Sequence, residues 1–265
     1  MFSTKTTFVI YLLARTIWAG PIAKPDDVLP GQEQDFKNTI AEPLWGKEGP
    51  VHTDVKQGPD GECWFMAGLI SLVKCNPLAI TQLVQDTGIG NGEYGKATQK
   101  AKVKLYTNDS DWETFDVVYQ SSIGGTADGL TTWWPAAMRR AALKMGGYYG
   151  LSHENEITGG YPNDALKMLT GKIVKYILDD TFDKNQIWIW IQHSDISPMI
   201  LSTKDSAKKL VNGHAYVIMT YDGDGPENAR LRLRNPWVGS EWYDLEKIYD
   251  EISRISALQE FQSVP

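Results

Sequence analysis

Residues 57–65 read QGPDGECWF. A turn-forming run of Gly58, Pro59 and Gly61 stands directly ahead of Cys63. The chain then turns apolar through CWFMAGLISLV, residues 63–73. A segment that is apolar nearly all round predicts a buried helix, and Asn76-Pro77 predicts its end. A helix that opens at or near Cys63 would set the thiol against unpaired N–H groups and partial positive charge. Both favour thiolate, the form a nucleophilic cysteine needs. The same N–H groups can hold an oxyanion, and the Gln57 amide could donate to it as well. Alone, one cysteine opening a helix also reads as a small buried apolar residue.

A nucleophilic thiol needs a base, and the chain has four histidines. Only His214 opens a clear strand, GHAYVIMTY at 213–221, where Gly213 lets the backbone pass close to a neighbour. His52, His153 and His193 lie in polar, loop-like sequence and read as solvated; His52, near Cys63 in the chain, is a minor alternative base. The base in turn needs an orienting group. Antiparallel pairing of 214–221 with 230–235, through the turn DGDGPEN, would bring Asn235 beside His214. The Asn235 oxygen could accept an imidazole N–H, and Trp237 could cover that hydrogen bond. An Asn-Pro pair can also simply end a strand.

Around these residues the chain divides. Segments AKVKLYT and WETFDVVYQ predict paired strands; WWPAAMRRAALKMGG and YPNDALKMLTG predict helices closed by glycine. After Gly171 the pattern becomes β-rich: QIWIWIQ (186–192), HAYVIMTYDGDG and ARLRLRNPW each read as strands. The tryptophans 188, 190 and 242 read as core. The expected organisation is a leader at 1–19, a polar tail or pro-segment at 20–43 with four prolines, a helical lobe at 44–171 and a β-rich lobe at 172–265. Two lobes of different type predict an α+β fold with a cleft between them.

Composition excludes several classes. The net charge of −7 comes from 26 basic and 33 acidic residues, and no Lys/Arg run offers a footprint for nucleic acid. The apolar stretch FVIYLLA, with Ala19-Gly20 after it, matches a secretory signal and is too short for a bilayer helix of about 20 residues. Secretion is therefore the expectation, with a cytoplasmic chain carrying an apolar N-terminus as the alternative. Asn108-Asp109-Ser110 forms a glycosylation sequon, which fits export but is common by chance. Cys63 and Cys75 should not pair, since twelve helical residues separate them by about 18 Å.

Taken together, QGPDGECWFMAGLISL, NGHAY and LRLRNPWVGSEW resemble the signature blocks of the calpain family's protease core, built on the papain-like fold. The intervening WWPAAMRRAALKMGGYYGL and GGYPNDALKMLTG resemble that family's connecting segments, so the likeness runs in order from Leu44 to Leu245. Carried over by position, it implies Cys63 as nucleophile, His214 as base, Asn235 as orienting residue, Gln57 as oxyanion donor and Trp237 as shield. Three departures stand out. Glu62 replaces an Asp, Val238 replaces a Gly, and thirty residues follow Asn235, which predicts a shortened β lobe with an exposed sheet edge. The expectation is a compact form without the family's accessory domains.

The resemblance also implies a calcium ion in each half of such a core. Asp54 and the Gly49 carbonyl stand at positions of the first site and Glu241 at one of the second. Thr131-Thr132 occupy the place of an acidic ligand, and DGDGPE reads as a hairpin turn rather than a calcium loop. Weak or absent calcium dependence is expected, with no cofactor required for the chemistry. The leading expectation is a monomeric cysteine endopeptidase acting on proteins or peptides through a thioester. A catalytically idle binding module and an acyl transferase are the competing readings.

Overall fold

Helix α1, Cys63–Cys75, is the centre of the molecule: every residue from Trp64 to Val73 is buried. The computed structural model describes residues 41–119, 126–127, 130–151, 156–237 and 239–259. The expected leader, most of the polar tail and His153 lie outside the described residues. Tail residues 41–43 do lie within them, where the Glu42 carbonyl accepts from the Thr98 N–H and Pro43 bridges Ala97.

Asn76 ends α1 as expected. It sits in extended backbone, and its side chain accepts the Ala79 N–H at 3.2 Å, opening α2 (Pro77–Leu83) with proline in the first turn. Strands β1 (Val84–Asp86), β2 (Lys100–Tyr106) and β3 (Trp112–Val118) form an antiparallel sheet in that spatial order. The alternation in β2 buries Ala101, Val103 and Leu105 on one face. Two short strands, β4 (Thr126–Ala127) and β5 (Leu130–Thr131), pair with each other. Helices α3 (Trp134–Met145) and α4 (Pro162–Thr170) follow, each ending at glycine; Gly171 has a φ of +65°, the left-handed closure that suits glycine. Helix α4 lies directly against α1. A Cβ on Gly68 would fall 2.7 Å from that of Ala165, so the close approach requires the glycine.

The second half comprises β6 (Val174–Leu178), α5 (Lys184–Ile191), β7 (Met199–Thr203), β8 (Ala215–Asp222), β9 (Arg230–Arg234), β10 (Ser240–Asp244), α6 (Leu245–Ile248) and, after a 3₁₀ turn, β11 (Ile252–Leu258). The six strands make one antiparallel sheet in the order β10-β9-β8-β7-β11-β6. Residues after Asn235 therefore supply an edge strand, β10, and a central one, β11, paired on both sides. The sheet's two edges among the described residues are β10 and β6.

Segment 186–192 corrects the sequence reading: IWIWI lies in helix α5, not in a strand. Asp183 caps that helix, its carboxylate accepting the Gln186 N–H at 2.8 Å. Burial then follows a helical stripe. Ile187 and Ile191 are buried, whereas Ile189 between them is 58% exposed. A strand face would have buried all three. Trp242 is also exposed, at 42%, with the Arg230 guanidinium over its ring, so it is not a core residue.

Two apolar cores result. One joins α1–α4 to Ile200, Ala215, Val217 and Leu258 of the large sheet; the other lies beneath α5 and α6 and includes Leu201, Ile218 and Leu231. Helix α1 is thus packed on α4 and on β8, which holds the thiol-bearing end of α1 against the start of β8. At its other end the Lys74 ammonium donates to the carbonyls of Ser194 and Ile218. No single helix among the described residues is long and apolar enough to cross a membrane.

Candidate active site

The loop ahead of Cys63 is held by buried charge. Glu62 is 1% exposed; one carboxylate oxygen accepts the Gly58 N–H at 2.8 Å and the other pairs with Arg139 of α3. Arg139 also grips Asp60 through a second nitrogen. A buried carboxylate survives only when paired and hydrogen-bonded in this way. The Trp64 indole N–H donates to the Thr158 carbonyl at 2.9 Å, fixing the opening turn of α1 against the 158–160 loop.

Gln57 begins the same loop. Its backbone N–H donates to the Pro236 carbonyl at 3.0 Å, and its side-chain amide donates to the Asp60 carbonyl at 2.9 Å. Its side-chain oxygen is buried without a partner among the described residues.

Cys63 opens α1 and is partly buried; both cysteines are free thiols, as their spacing predicts. Burial pushes the Cys63 thiol up, and the neighbouring Glu62 charge adds to this, while the N–H groups of Ala215, Trp64 and Cys63 itself pull it down. The helix end therefore acts on the thiol in the expected direction, with desolvation opposing it.

Ala215, whose N–H reaches the sulfur, follows His214 directly. His214 is 4% exposed, and its backbone is pinned to Thr203, whose hydroxyl accepts the His214 N–H at 2.9 Å. The imidazole Nε2 lies 3.0 Å from Asn235 Oδ1. That oxygen also accepts the Trp237 N–H at 2.9 Å. The Trp237 ring stacks on the imidazole with centroids 4.3 Å apart, and the Tyr216 ring meets it edge-on at 5.2 Å. Burial lowers the His214 pKa, opposed by the bond to Asn235. Cys63 and His214 line one cleft of about 350 Å³, together with the 160–162 loop and residues of β6, β7 and β11. Gln57 is not in the lining of that cavity.

The other histidines fall elsewhere. His52 sits in a 3₁₀ turn, its Nδ1 buried without a partner among the described residues and its pKa lowered by burial and nearby Arg234, Arg232 and Lys74. His193 follows α5, where its backbone N–H donates to Trp190.

The calcium candidates do not form a centre. Asp54 is fully buried, and one of its oxygens accepts N–H groups from Val51 at 2.9 Å and from the Trp134 indole at 2.7 Å. Its other oxygen has no partner among the described residues, and burial raises the carboxyl. A hard cation needs six to eight oxygens, several of them anionic. Glu241 is exposed and accepts the Tyr243 hydroxyl at 2.9 Å. Among the described residues no group of three or more His, Cys, Asp or Glu could hold a metal ion. Asp54 and Glu241 each bring a single carboxylate, fewer anionic oxygens than such a site gathers.

Several participants escaped the sequence reading. Arg139 is one of two adjacent arginines in α3, and only the fold sets it opposite Glu62. Thr203, which holds His214, gave none, because pairing of β7 with β8 brings it there.

A cysteine opening a helix and sharing a cleft with a His–Asn pair held at the adjoining ends of two strands is the arrangement of a cysteine peptidase core of the papain-like α+β type. The family model described as "Calpain family cysteine protease" matches residues 34–245, and the chain belongs to that family. Mouse Calpain-9 is 26% identical over 218 residues, covering 73% of this chain and 29% of that protein. The rat Calpain-1 catalytic subunit is 26% identical over 233 residues (77% and 30%), and the human Calpain-2 catalytic subunit 24% over 228 (76% and 30%). The chain thus spans about 30% of the length of the curated relatives it matches.

Proposed function

We propose that the chain is a cysteine endopeptidase using Cys63, His214 and Asn235. The observation that carries this reading is the 3.0 Å contact of His214 Nε2 with Asn235 Oδ1, beneath Trp237, in the cleft that also contains Cys63. With Nε2 engaged by Asn235, Nδ1 is the nitrogen left to exchange a proton with the thiol. Burial acts on both groups in the same sense, favouring the neutral form of the thiol and of the imidazole. The proton then passes from sulfur to imidazole as the sulfur attacks the peptide carbonyl.

We assign the developing oxyanion to the Cys63 N–H and, once its amide turns from the Asp60 carbonyl toward the cavity that it does not line at rest, to Gln57. Collapse expels the amine, which takes the proton from His214, and leaves a thioester on Cys63. Water, deprotonated by the same imidazole, attacks the thioester; the acid product leaves and the thiol is restored. Asn235 keeps the ring in the tautomer and orientation each transfer needs. No metal takes part in these steps, and we propose that activity is independent of calcium.

The idle-module reading draws on the raised thiol, and one assay separates the two. The wild-type chain should cleave casein, and Cys63→Ala should not. Casein cleavage retained in Cys63→Ala would overturn the assignment, and a wild type that neither cleaves nor reacts with a thiol-directed epoxide would favour the binding module.

A further inference from the structure

We propose that Arg254 selects substrates with an acidic side chain close to the scissile bond. This rests on the peptidase reading and concerns the same cleft. Beyond Cys63 and His214, the cavity is walled by Tyr161, Pro162 and Leu178, and its charged lining residues are Asp179 and Arg254. Their situations differ. The Asp179 carboxylate is neutralised by Lys204 at 3.1 Å. Arg254 enters no ion pair among the described residues. The Asp164 carboxyl feels its charge but accepts from Asn163 at 2.9 Å and does not line the cavity. The cleft therefore carries one positive charge that makes no direct ion pair among the described residues.

The way Arg254 is held suits it to recognition. Its guanidinium lies 4.6 Å from the Tyr161 ring centroid and 4.7 Å from that of Tyr176. One terminal nitrogen donates to Asn163 Oδ1 at 2.7 Å. Two aromatic rings restrain the group while its remaining donors stay in the guanidinium plane, the geometry a carboxylate takes up with two parallel hydrogen bonds. Fixing the side chain in advance removes much of the entropy cost of binding. Apolar walls with a cation among them fit a carboxylate on a short methylene stem. An extended substrate advances about 3.3 Å per residue, so a cavity that begins at the sulfur takes side chains within two or three residues of the cleaved bond.

The test uses the full chain and fluorogenic peptides in which Glu, its neutral isostere Gln, or Lys is placed in turn at each of the three positions on either side of the bond. At one position Glu should exceed Gln in kcat/KM by about tenfold or more, through KM, as a hydrogen-bonded charge pair predicts. In Arg254→Gln that ratio should fall to near one, and Arg254→Lys should retain part of it. If Arg254→Gln does not fold, Arg254→Lys and the wild-type ratio decide. A wild type that cuts peptides without preferring Glu at any position overturns this inference and leaves the peptidase reading intact. An Arg254→Gln that melts earlier but keeps the Glu preference also overturns it, leaving Arg254 as a strut between lobes. Failure to cut any peptide, with Cys63 inert to a thiol-directed epoxide, removes both.

Discussion

The backbone N–H of Gln57 donates to the carbonyl of Pro236 at 3.0 Å, although the two residues lie in different halves of the chain. One bond thus couples the loop that delivers Cys63 to the segment that delivers Asn235 and Trp237. Arg234 reinforces the link by donating to the Val55 carbonyl at 3.2 Å. The proposed oxyanion donor and the proposed orienting residue are in this way positioned by each other's backbone.

Replacing Asn235 removes the partner of His214 Nε2 and the acceptor of the Trp237 N–H together. Asn235→Ala should lower kcat by roughly a hundredfold, within the range of positioned acid–base catalysis. Leaving the buried His214 nitrogen unpaired should also cost about 1–3 kcal/mol of stability. Single-turnover kinetics and urea melts measure the two effects separately; unchanged kcat would remove Asn235 from the mechanism.

Glu62 and Arg139 form a buried pair at the foot of the catalytic loop. Glu62→Gln leaves Arg139 only the half-exposed Asp60 as counter-charge and should cost up to about 3–5 kcal/mol, whereas Glu62→Gln with Arg139→Met should recover a large part of it. Urea denaturation of the two single variants and the double variant checks this, and additive losses would contradict it.

Stability should fall toward both ends of the pH scale. His214 is kept neutral by burial, so below its ordinary value of 6.5 the unfolded chain takes up a proton that the folded chain does not. Stability drops as pH falls through that region. Burial holds the Cys75 thiol at about 11 against an ordinary 9.0, so between those values only the unfolded chain loses that proton. Stability then drops as pH rises, by on the order of 1–3 kcal/mol. Urea midpoints from pH 5 to pH 10.5 should peak near neutrality; a steady rise through pH 10 would contradict the assignment.

Calcium should change neither activity nor melting. An ion present at about a hundred times its Kd would add about 2.7 kcal/mol of stability, which thermal melts in calcium and in chelator would show. Asp54→Asn keeps an acceptor for Trp134 and Val51 while removing a buried charge, so it should leave the melting temperature unchanged or raise it. A calcium-dependent rise in the wild type, abolished by Asp54→Asn, would refute this account.

Much of this arrangement was legible in the chain because it depends on local order. The apolar run from Cys63, the stop at Asn76-Pro77 and the hairpin joining β8 to β9 are short-range signals. The hairpin brings Asn235 to the same end of the sheet as His214, although its register, with Val217 opposite Arg234, sets Asn235 nearer Tyr216 than the simple pairing predicts. What could not be read depends on distant contacts. The IWIWI segment alternates in sequence, and its helical state follows from the Asp183 cap and from burial of Ile187 and Ile191 under the sheet. The strand order that puts β11 between β6 and β7, and so brings Arg254 into the cleft, has no local signature. Nor does the burial of Cys63, which opposes the helix end.

The most direct test of Cys63 as a nucleophile served by His214 is peptide mapping by mass spectrometry after reaction with a thiol-directed epoxide. The account predicts one adduct, on Cys63, with Cys75 unmodified and with labelling slowed at least tenfold in His214→Ala. An adduct on Cys75 in its place, or equal labelling of Cys63 with and without the imidazole, would contradict it.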